Sequence, residues 1–177
     1  TVKRYSHKDM TQLVQLLDQT ESGRTLVSND AVFSMDGDLA PMPGLLALCE
    51  KHEAWLLIGD AHGFGVLGEQ GRGSRSHFGI SSKRIIYMGT LGKAAGVFGA
   101  FVAAEQIVID TLVNHARSYI YTTATPPALA SAMLESLQLI ASGDALRSHL
   151  QSLIAQLRNG LRGLPWAVMS SATAIQP

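Results

Sequence analysis

Short extended apolar runs alternate with amphipathic helical stretches along this chain, and few folds accept that order. Residues 55–58, 85–88 and 97–102 read as strands, with shorter β-prone stretches at 25–28 and 31–34 and a further strand at 119–123. Between them the period changes. Met10, Leu13, Val14, Leu16 and Leu17 predict a helix over roughly 8–19, because apolar residues at three- and four-residue spacing share one helical face. Pro43 suits the first turn of a helix carrying Leu45, Leu46, Leu48 and Cys49. Another helix is predicted near 104–117, and Pro126–Pro127 open one that runs to about Ile140. Asp144 is placed to cap a last helix with the stripe Leu146, Leu150, Leu153, Ile154, Leu157, Leu161. Strands alternating with helices predict an α/β fold, a mainly parallel sheet with helices on both faces.

Composition narrows the function classes. The 177 residues are 46% hydrophobic and 16% charged with a formal net charge of zero, so no basic excess points to nucleic acid or to an anionic membrane. Cys49 stands alone among apolar helical neighbours, which excludes an intrachain disulfide framework and favours core packing in a reducing compartment. The apolar run 85–104 contains four glycines and a central lysine, so it divides into two strands around a loop better than it spans a bilayer. A soluble cytoplasmic protein is the expectation. The chain starts without Met and stops within a strand-and-turn pattern, as the central part of a longer protein would.

The chemistry concentrates where strands end. Lys93 is the only charged residue between Ile85 and Ala104. Its apolar neighbours predict a desolvated amine whose charged form is disfavoured, and such an amine is a nucleophile suited to Schiff-base formation. His62 follows the strand at 55–58, Ser34 ends the stretch at 31–34, and Thr90 opens the lysine loop. Open α/β sheets hold ligands at just these carboxyl ends. Six glycines between Gly59 and Gly73 mark a loop. They lack the strand-to-helix G-x-G-x-x-G order of a dinucleotide site, and no metal site is expected.

Five phrases in order sharpen this reading: SMDGD (34–38), DAHGFGVLGEQGRG (60–73), TLGKAAGVFGAFVA (90–103), TATPPA (123–128) and SATAIQP (171–177). Together they resemble the α-oxoamine synthases, pyridoxal-phosphate (PLP) enzymes of fold type I that condense an amino acid with an acyl thioester. The resemblance runs from about Lys3 to Pro177 and implies the central part of the PLP-binding large domain of a homodimer. It implies that Lys93 forms the Schiff base and shuttles the substrate α-proton, with His62 near the cofactor's ring oxygen. It also implies cofactor contacts from Ser34 and Thr90, the latter to the phosphate, and from Asp60. Thr122 and Thr123 are implied to reach a phosphate from the neighbouring subunit. The likeness is greatest to the biotin-forming members, which implies L-alanine and a pimeloyl thioester (on CoA or carrier protein) as substrates. A glycine- and acetyl-CoA-using relative is the nearest enzymatic alternative.

One position departs from the family pattern. The carboxylate that pairs with the pyridine nitrogen normally stands three residues before the histidine, where this chain has Gly59. Alternation along a strand turns Asp60 to the opposite face, so it does not simply take that place. The departure predicts a weak catalyst or a PLP-binding scaffold, in which Gly59→Asp raises turnover by orders of magnitude.

Overall fold

The computed structural model describes residues 1–20, 25–165 and 167–177. Four strands, β1 (Leu26–Asp30), β2 (Trp55–Gly59), β3 (Ile85–Thr90) and β4 (Ala100–Ala103), form one sheet in the order β1-β2-β3-β4. The first three run parallel and β4 returns antiparallel to β3. The helices are α1 (Met10–Asp18), α2 (Met42–Lys51), α3 (Ser74–Phe78), α4 (Gln106–His115), α5 (Arg117–Ile120), α6 (Pro127–Ser142) and α7 (Asp144–Leu161).

Register decides which residues share a face. Val27 pairs with Leu56, and Leu56 with Ile85, so these three side chains lie on one side with Ile58 and Tyr87. All five are buried in one cluster with Leu13 and Leu17 of α1 and Met42, Leu45, Leu46 and Cys49 of α2. Burial of each large aliphatic side chain there contributes about 1.5–3 kcal/mol. Asp9 caps α1 by accepting the Gln12 N–H at 2.9 Å, and Pro43 lies in the first turn of α2. Burial pushes the Cys49 thiol up to about 12, which makes it a core residue and not a nucleophile. The opposite face, carrying Leu57, Gly59, Met88 and Thr90, is only half-buried. There Met88 and Val102 share an open cavity of about 630 Å³ with Ile109, Leu112 and Val113 of α4.

Three local expectations fail. The segment expected as a strand at 119–123 instead turns helically, because Ile120 N–H and Tyr121 N–H donate to Ala116 and Arg117 carbonyls. The expected strand at 97–102 begins only at Ala100, since Gly96 and Gly99 hold positive φ within the turn. Gly143, not Asp144, caps α7; Asp144 is its first residue and accepts from Arg147 Nη2 at 2.6 Å. Of the α7 stripe only Ile154 is buried, and α4, α5 and α6 bury no residue.

Residues 31–34 form no strand beyond a single bridge between Val32 and Leu39. They open the turn that holds SMDGD, and the far end of the chain packs onto it. Ser171 and Thr173 hydroxyls both donate to the Gly37 carbonyl at 2.7 Å. Gly37 holds φ +68°, and a Cβ there would stand 2.5 Å from the Ile175 carbonyl oxygen. Two motifs 134 residues apart are thereby explained by one close backbone approach. Among the described residues no helix is long and apolar enough to cross a membrane.

Candidate active site

The lysine loop is the connection between β3 and β4. Leu91 N–H donates to the Gly99 carbonyl, Val97 N–H to Leu91 and Gly96 N–H to Lys93. Leu91 and Ala95 point inward and are buried, whereas Lys93 is exposed. The desolvated amine expected from the apolar neighbours is therefore a correction. Leu91 and Ala95 flank Lys93 along the chain, but the loop sends only these side chains to the interior and leaves the lysine on the open side with Ala94 and Phe98. Ser136 of α6 donates to the Ala95 carbonyl at 2.6 Å, which pins the loop two residues beyond the lysine.

What the structure adds is a partner. Lys93 Nζ lies 2.6 Å from His62 Nε2, although 31 residues separate them. His62 follows β2 by three residues, and Lys93 follows β3 by three, so parallel neighbouring strands deliver both to one sheet edge. Burial, then the Lys93 charge, lowers the His62 pKa below its ordinary 6.5, while Asp30 and Asp60 oppose the shift. A neutral imidazole can accept a hydrogen bond from the lysine amine through Nε2, which leaves the ring hydrogen on Nδ1.

Thr90, the last residue of β3, has a buried hydroxyl with no hydrogen-bond partner among the described residues. A buried hydroxyl left unpaired costs free energy, and this one stands three residues from Lys93. Ser34 is exposed in the SMDGD turn and, among the described residues, has no side-chain hydrogen bond. Thr122 and Thr123 are likewise exposed, ahead of α6.

Asp60 is turned away from that edge. It continues the buried face of Leu56 and Ile58 and is itself completely buried. Its Oδ2 accepts both the Ser74 N–H and the Tyr87 hydroxyl at 2.6 Å. Burial, then the Asp60 charge and hydrogen bond, raises the Tyr87 phenol far above its ordinary value, so it stays a donor. Strand alternation thus gives Asp60 Oδ2 structural partners on the core side, while its Oδ1 is buried and, among the described residues, unpartnered.

Sequence reading missed Asp30. This last residue of β1 pairs in register with Gly59. An ideal Cβ on Gly59 would stand 2.6 Å from Asp30 Oδ1. The carboxylate of Asp30 thus lies across the side-chain space that Gly59 leaves empty. An acidic residue closing one strand beside a glycine closing the next was the available signal.

Two other features stand apart from this edge. His7, Asp36 and Asp38 gather as possible metal ligands, but Lys8 Nζ already sits 2.9 Å from Asp38 Oδ2. A cavity of about 620 Å³ lies between the lysine loop and α6 and α7, yet neither Lys93 nor His62 lines it.

Comparison with known proteins shows the family. The family model for class I and II aminotransferases matches residues 1–177. An 8-amino-7-oxononanoate synthase of Nitrosospira multiformis is 60% identical over 176 residues, covering 99% of this chain and 44% of that protein. The solved 8-amino-7-oxononanoate synthase of Francisella tularensis superposes with a TM-score of 0.82 at 31% identity, over 99% of this chain and 50% of that one. A serine palmitoyltransferase from S. paucimobilis with a bound PLP–myriocin aldimine gives 0.87 at 26% identity, over 94% and 44%. The chain spans less than half the length of the curated relative it matches at 60% identity.

Proposed function

The chain belongs to the class I and II aminotransferase family, and we propose that it is the central part of the PLP-binding domain of a cytoplasmic, homodimeric 8-amino-7-oxononanoate synthase of biotin biosynthesis. The reaction joins the α-carbon of L-alanine to the carbonyl carbon of a pimeloyl thioester. The C–S bond breaks, the thiolate takes a proton and leaves, and the alanine carboxylate departs as carbon dioxide, with a proton taking its place on the α-carbon.

The observation that carries this reading is the Lys93–His62 pair at the carboxyl edge of the sheet, 2.6 Å apart. The residues present fit PLP. Lys93 offers an accessible amine for the cofactor's aldehyde, and Thr90 offers a buried hydroxyl that lacks a partner among the described residues. When bound, PLP supplies the electron sink that stabilises a carbanion at the substrate α-carbon. Lys93 anchors the cofactor and later holds the proton taken from that carbon on Nζ. His62, neutral, accepts a hydrogen bond from Nζ and so fixes the direction of the amine. Thr90 donates to the cofactor phosphate.

A second reading rests on Gly59: a scaffold that binds PLP without turnover. Borohydride reduction of the full-length protein after PLP loading, with peptide mapping, tests the shared premise. A stable adduct on Lys93 is the expected result, and its absence from folded protein would sink both readings. Formation of 8-amino-7-oxononanoate from L-alanine and pimeloyl-CoA then separates synthase from scaffold.

A further inference from the structure

We propose that Asp30 supplies the carboxylate that partners the protonated ring nitrogen of PLP, from β1 across the vacant position of Gly59. The inference rests on the reading that Lys93 carries PLP. A pyridine ring nitrogen would keep its proton more readily beside an anionic partner.

Position and supply both favour Asp30. Parallel pairing of Asp30 with Gly59, and of Gly59 with Met88, puts residues 30, 59 and 88 on one face, which Thr90 shares two residues on. That face is the half-buried one, opposite the core. The Asp30 carboxylate lies where a side chain at 59 would start, with Oδ1 2.6 Å and Cγ 3.7 Å from the ideal Cβ. Among the described residues Asp30 Oδ1 and Oδ2 accept no hydrogen bond and form no ion pair. Its charge reaches His62, where it opposes the lowering by burial and by Lys93. The neighbouring carboxylate faces the core side, where Asp60 Oδ2 holds Ser74 and Tyr87 and Oδ1 is buried with no partner among the described residues. Glycine at 59 is then the condition that lets Asp30 lean across, and not simply the loss of a catalytic group. Two carboxylates could not share this space without displacement and charge repulsion.

The test is ¹⁵N NMR of the full-length protein loaded with PLP labelled at the ring nitrogen, with borohydride mapping of Lys93 alongside. The unaltered protein should show the pyridinium resonance. In Asp30→Asn the resonance should move to the neutral-pyridine position while the Lys93 adduct persists. The double variant Asp30→Ala/Gly59→Asp should restore the pyridinium resonance, because alanine clears the space and the new carboxylate fills it. An unshifted resonance in Asp30→Asn overturns the assignment of Asp30 and leaves the cofactor reading standing. A shifted resonance that the double variant fails to restore overturns the claim that positions 30 and 59 serve one site. No adduct on Lys93 in the unaltered protein removes the cofactor reading and this proposal together.

Discussion

Two aspartates leave neighbouring strands at the same sheet edge and meet opposite fates. Asp60 enters the core side, where a backbone N–H and a phenol close on one carboxylate oxygen. Asp30 stays on the other side, exposed, beside an empty side-chain position, and its charge opposes the lowering of the His62 pKa. One residue of strand phase separates them. The difference teaches that a carboxylate near a strand end is structural or available for a ligand according to the face it inherits, and residue type does not decide it.

The sharpest way to break this comparison is at Lys93, the group on which the proposed site rests. Lys93→Ala should abolish the borohydride-stable PLP adduct outright, while thermal unfolding changes little because the side chain is exposed. An adduct persisting elsewhere in that variant would relocate the site. Next in size is the contrast between the aspartates themselves. Asp60→Ala leaves the Ser74 N–H and Tyr87 hydroxyl without their acceptor and should cost about 2–5 kcal/mol in urea unfolding. Asp30→Ala, on the surface, should stay within about 0.5 kcal/mol. Equal losses would show that both carboxylates are structural.

Thr90→Val tests whether the orphaned hydroxyl awaits a ligand. Replacing it by a methyl should leave stability unchanged or slightly raised, yet weaken PLP binding about tenfold, roughly 1.4 kcal/mol. A parallel loss of stability with unchanged affinity would assign the hydroxyl to the fold. The smallest effect is pH-dependent. Burial, then Lys93, lowers His62 below its ordinary 6.5, so as pH falls the unfolded chain protonates first. Stability from this group is full above 6.5 and is lost as pH falls below it, until the folded histidine protonates as well. Melting temperatures measured between about pH 5 and 8 should fall more steeply with acid than those of His62→Gln. Identical profiles would place His62 in ordinary solvent.

The motif order already implied the carboxyl-edge location of the site, because parallel strands bring their successors to one edge whatever lies between. Lys93 and His62 could be singled out as candidates, but their contact could not. Nor could the exposure of Lys93: apolar neighbours in sequence suggested an enclosed amine, and only the loop's path turned Leu91 and Ala95 inward. The stripe of α7 shows the same limit, since its spacing forecast the helix but not that Ile154 alone would be buried.

Periodicity, glycine placement and proline at helix starts are local properties, and from them the sequence by itself determined the α/β class, β2, β3 and most of the helices. Register between strands is a long-range property. Only the tertiary structure decided that Asp30 stands opposite Gly59, that Asp60 belongs to Tyr87, and that the closing SATAIQP segment seats on Gly37. The physical reason is that hydrogen bonding between strands fixes which side chains meet, and a shift of one residue would exchange the two faces of the sheet.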